Sequence, residues 1–86
     1  MRRWPYKAVV FEMKEILAAV DDTEWQSFRL SLKGISTEDK LSRLHERLQR
    51  HMKDGKVIRV EKVRIDNYLY ALRRGGQLDE NFCVRK

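Results

Sequence analysis

One cysteine, one proline, four glycines and no long apolar run distinguish this 86-residue chain by what it lacks. A lone Cys83 excludes an internal disulfide and a cysteine-based metal cluster, so a reducing, cytoplasmic compartment is expected. No Ser- or Gly-rich tract offers a linker and no segment repeats another at a fixed period, so the chain reads as one unit. The apolar segment near its start is broken by Glu12, Lys14 and Glu15, which argues against a signal peptide and a membrane span. Glycine-rich phosphate loops, nucleophile elbows and paired-carboxylate arrangements are missing as well. No enzyme, cofactor, metal site or small-molecule substrate is therefore expected.

What the chain does have is positive charge. Nineteen Lys and Arg against thirteen Asp and Glu leave a formal charge of +6. Residues 1–36 hold six cations against five anions, while residues 37–86 hold thirteen against eight, so an acidic partner would meet the C-terminal half.

Periodicity predicts an all-α domain, a small four-helix bundle over residues 1–76 followed by a C-terminal tail, 77–86. Tyr6, Val9, Val10, Met13, Ile16, Leu17 and Val20 recur at helical spacing after Pro5, which predicts a first helix over 5–20. Asp21, Asp22 and Thr23 offer caps for a short second helix carrying Trp25, Phe28 and Leu32, with Gly34 as its stop. Ser36 or Thr37 caps a third helix, with Asp39 placed for a capping box; Leu41, Leu44, Leu48 and Met52 form its buried stripe, and Asp54-Gly55 closes it. Residues 56–65 allow a short β-branched strand or an extended connection. The connection is preferred, running to about Val60, with a fourth helix over 61–74 stopped by Gly75-Gly76. The expected core is Val9, Met13, Leu17, Trp25, Phe28, Leu32, Leu41, Leu44, Leu48, Ile65, Leu69 and Leu72. The tail lacks periodicity and is expected to be mobile, with Leu78, Phe82 and Val84 as the residues able to fold back.

Gly75-Gly76-Gln77 resembles the tripeptide of peptide-chain release factors over three residues only, and reads as a helix-ending glycine pair. His45 and His51 are six apart, not the three or four that bring two ligands to one side of a helix, and read as boundary residues. The cations carry more. Lys40, Arg43, Arg47 and Arg50 form an arc about 125° from the apolar stripe of their helix. Together with Arg59, Lys62, Arg64, Arg73 and Arg74 they make a phosphate footprint if they share a side, because neutralising phosphates releases counterions. Two functions stay open: a nucleic-acid-binding module, with duplex DNA preferred and one helix able to enter the major groove, or a protein-interaction or assembly module. In the second, which includes a homo-oligomer, Trp4, Tyr70, Leu78 or Phe82 are the anchors and the charge serves solubility.

A family likeness enters at the same residues. The run Phe28-Arg29-Leu30-Ser31-Leu32-Lys33-Gly34-Ile35-Ser36-Thr37, then Leu41, Leu44 and Leu48, then Val60, Ile65, Tyr68-Leu69 and Leu72-Arg73, resembles the helical core-binding domain of phage-type tyrosine recombinases. The resemblance covers roughly residues 25–76 and implies a small helical bundle that clamps DNA opposite a catalytic domain. Glu61-Lys62 stands where that family often places Thr-Pro, Thr37 follows Ser36 earlier than the usual spacing, and no catalytic domain follows. The resemblance thus implies a detached binding module, or a small protein of a phage or other mobile element, and no recombination activity.

Overall fold

The structure is a computed structural model that describes residues 14–18 and 21–85. Its elements run β1 (Lys14–Ile16), α1 (Asp22–Ser31), α2 (Thr37–Arg50), β2 (Met52–Lys53), β3 (Lys56–Ile58) and α3 (Arg59–Arg74). Three helices and a three-stranded mixed sheet replace the expected all-α four-helix bundle. The strands lie in the order β1-β3-β2, with β1 parallel and β2 antiparallel to β3.

The helices that carry their own caps start where those caps predict. Asp21 accepts a 2.9 Å hydrogen bond from the Thr23 amide at the head of α1, and Ser36 accepts one of 3.2 Å from the Asp39 amide at the head of α2. At the far end of α3 the Gly76 amide donates to the Arg73 carbonyl and the Gln77 amide to the Leu72 carbonyl, at 3.1 and 3.0 Å. That doubled closure needs a left-handed residue, which Gly76 supplies at φ +81°. Gln77 is engaged besides, its side-chain oxygen accepting from the Thr37 hydroxyl at 3.0 Å. The glycine pair and the glutamine therefore have structural tasks.

The sheet overturns three local expectations, among them the extended connection to about Val60: Lys56–Ile58 is a strand, because it pairs on both sides, and α3 already starts at Arg59. Asp54-Gly55 does not end a helix: at φ 53° and 73° the two residues form the tight turn between β2 and β3, and both positive angles match a type I′ hairpin. Met52, expected on the helical stripe, is accordingly a strand residue opposite Val57. The predicted helix over 5–20 fails where it can be seen, since Lys14–Ile16 is a strand and Leu17 is 77% exposed. Val9, Met13 and the rest of that segment lie outside the described residues, as does Trp4. Helical spacing at Ile16 lost to pairing with a strand far along the chain.

α3 packs against α2 and against the β1 and β3 strands of the sheet. The core joins Trp25, Leu32, Leu41, Leu44, Leu48, Val57, Ile65, Leu69 and Leu72 with Leu78 and Phe82, while Phe28 packs against it half-buried. Leu78 pairs with Val84 in an isolated antiparallel bridge, and the Asp79 carboxylate accepts from the Asn81 and Cys83 amides, so the last residues cover the end of the core.

Candidate nucleic-acid interface

Of the nine cations expected to face phosphate, the fold turns Arg47 inward. It sits at the core edge of its helical arc, close enough to Leu44 and Leu48 to be drawn under α1, and 1% of it is exposed. There it meets Glu61, which lies one turn before Ile65 on the buried face of α3 and is itself fully buried. Arg47 Nε and Nη2 donate to the two Glu61 oxygens at 2.5 and 2.9 Å, a bidentate pair. The guanidinium stacks over Trp25 and Phe28, 5.3 and 4.9 Å from the ring centroids, and approaches Glu24 at 3.6 Å. Arg47 is thus a core residue and no phosphate contact.

Three further cations are paired with carboxylates of the fold itself. Arg64 pairs with Asp22 and, at 3.3 Å, with Glu61, and lies over the Trp25 ring. Arg59 pairs with Glu15 at 2.9 Å. Lys62 pairs with Asp66 at 2.9 Å; burial nevertheless holds the Asp66 carboxyl above its ordinary value, Lys62 offsetting part of the effect. Arg73 is exposed but lies 4.7 and 5.1 Å over the Phe82 and Tyr70 rings, which meet edge to face. Tyr70 is half-exposed in this stack, and Leu78 and Phe82 are buried, so the last two are not surface anchors.

Lys40, Arg43, Arg50 and Arg74 remain, with no carboxylate within 4.0 Å among the described residues. Arg43 and Arg50 are exposed on one edge of α2 and Lys40 is half-buried beside them. The strip from Lys40 to Arg50 is about 15 Å long.

The sheet adds cations that the sequence reading did not single out. Lys14 is level with Lys56 on β3, and Lys56 is level with Lys53 on β2. All three are exposed. Val57 points into the core from the opposite face, where Glu15 and Met52 flank it, so the lysine row points away from α3. The signal was the hairpin dipeptide Asp54-Gly55, which sets Lys53 and Lys56 opposite each other.

His51 Nδ1 lies 3.0 Å from the Arg47 carbonyl at the end of α2. Among the described residues no three His, Cys, Asp or Glu side chains gather to hold a metal ion, and no helix is long and apolar enough to cross a membrane. An open groove between α1 and α3 is lined by Trp25, Arg29, Arg64, Asn67, Tyr68 and Ala71. Burial there pushes the Tyr68 hydroxyl above its ordinary value, against the pull of Arg29. Comparison with protein-family models, with curated proteins and with solved structures finds no match to this chain.

Proposed function

We propose that the domain is a non-enzymatic module that binds nucleic acid, duplex DNA in the first place, through its phosphates. The observation that carries this reading is the sorting of its cations. The fold matches Arg47, Arg59, Lys62 and Arg64 with carboxylates, and leaves Lys40, Arg43 and Arg50 together on one edge of α2 without any among the described residues. A strip that internal anions do not neutralise attracts an external polyanion, and neutralising its phosphates releases their counterions. The resemblance to recombinase core-binding domains implies the same partner, and with it the proposed origin in a phage or other mobile element; the proposed place in the cytoplasm rests on the lone Cys83.

The test is retention of a labelled duplex as salt is raised. Binding should weaken steeply, and Arg43→Gln/Arg50→Gln should reduce the slope by about one unit per lost contact while the helical circular-dichroism signal persists. A folded domain that ignores both duplex and single-stranded nucleic acid at low salt would return the function to protein interaction.

A further inference from the structure

We propose that the outward face of the sheet is a second phosphate-contact surface, built from Lys14, Lys56 and Lys53, and that it engages the same duplex as α2. This inference rests on the nucleic-acid reading above. The register sets the three lysines side by side across β1, β3 and β2. Neighbouring strands lie about 4.8 Å apart, so the ammonium groups can spread over roughly 10 Å or more at the ends of flexible stems.

Like charges directly opposite one another weaken a sheet, so folding alone gives no reason for such a row. The same strands do match charge elsewhere, since Glu15 on the other face pairs with Arg59 of α3. The nearest acid in the hairpin, Asp54, forms no ion pair with either adjacent lysine. The row also begins close along the chain to the end of the α2 strip. Arg50 ends α2 and Lys53 follows three residues later, within about 11 Å of chain.

The chemistry favours a duplex backbone over unstacked bases. Beside the row, on the same face, stand Ile16 and Ile58, level with each other and half-buried. Among the described residues these neighbours of the row are aliphatic, whereas single-strand binding grooves stack bases on aromatic rings. Lysines act on phosphate as point charges and read no sequence, so the surface contributes affinity and orientation.

The experiment compares wild type, Lys14→Gln/Lys53→Gln/Lys56→Gln and Arg43→Gln/Arg50→Gln, titrated with one labelled duplex from about 50 to 200 mM salt. The sheet variant should lose two to three units of salt slope, about one per lysine, and the α2 variant about two, each independently of the other. Both should melt no lower than wild type, because like-charged neighbours are removed from the sheet and solvent-facing side chains from α2. If the sheet variant binds as wild type does while the α2 variant loses slope, the second surface is refuted and the nucleic-acid reading stands. If the wild type does not bind duplex, both fall. Tighter binding to a single strand of the same length overturns the duplex assignment, and retention on vesicles containing phosphatidylserine without retention on duplex overturns it in favour of a lipid surface.

Discussion

Arg47 Nε and Glu61 Oε2 stand 2.5 Å apart with 1% and none of their side chains exposed, joining α2 to α3 through two charges that neither helix can expose. Breaking such a pair from one side leaves an uncompensated charge in the core, at a cost of about 3–5 kcal/mol. Glu61→Gln and Arg47→Met should each approach that loss in urea unfolding. Arg47→Met/Glu61→Leu, which removes both charges and keeps apolar volume, should lose far less than the two single changes together. Additive losses would mean that the ion pair is not the interaction that matters.

Phe82 combines burial at 2% exposure with φ 61°, a left-handed angle that costs a branched backbone about 1–2 kcal/mol. Phe82→Ala keeps the strained angle and loses the ring from the core, and should destabilise by about 3–5 kcal/mol. Phe82→Gly loses the same ring but relaxes the angle, so it should be less damaging than Ala by about 1 kcal/mol. Chemical denaturation of the two variants checks the order. If Gly is the worse of the two, the strain is not there.

Burial lowers the His45 imidazole below its ordinary value of 6.5, against the pull of Glu46. The folded domain therefore holds fewer protons than the unfolded chain between the folded value and 6.5, and in that window stability rises with pH. Acidifying through it should weaken the domain, and His45→Gln should flatten that part of the profile. Asp66 has the opposite sign: its raised carboxyl binds the extra proton in the folded state above 3.8, so stability falls as pH climbs through that lower window. Asp66→Asn should remove this fall. Urea midpoints measured across acidic pH separate the two residues.

The helices were legible because their signals are local. Asp21 and Ser36 announce starts, Gly76 an end, and the spacing of Leu41, Leu44 and Leu48 or of Ile65, Leu69 and Leu72 places a buried face without knowledge of what covers it. The sheet was not legible because β1 has no local signal of its own. Ile16 and Leu17 fit a helix in isolation, and only pairing with β3 decides otherwise. The Asp54-Gly55 hairpin was available in the sequence, yet the dipeptide also suits a helix end.

The candidate site divides along the same line. Arg43 and Arg50 face solvent as the wheel of α2 requires, whereas Arg47 shares their arc and is buried because Glu61 waits on the facing helix. The trace of that pairing was an acid on an otherwise apolar stripe, Glu61 one turn before Ile65. The lysine row left no trace along the chain at Lys14, since its neighbour there is Lys56.

The pairing of residue 14 with residue 56 also bears on the order in which the sheet assembles. β2 and β3 meet through a turn of two residues, while β1 reaches β3 only after α1, α2 and the hairpin have been threaded between them. Contacts so far apart in sequence form slowly, because the chain between them must lose its freedom before they bring any gain. The hairpin and its flanking helices are then the natural nucleus, and β1 the strand that closes the sheet last and leaves it first.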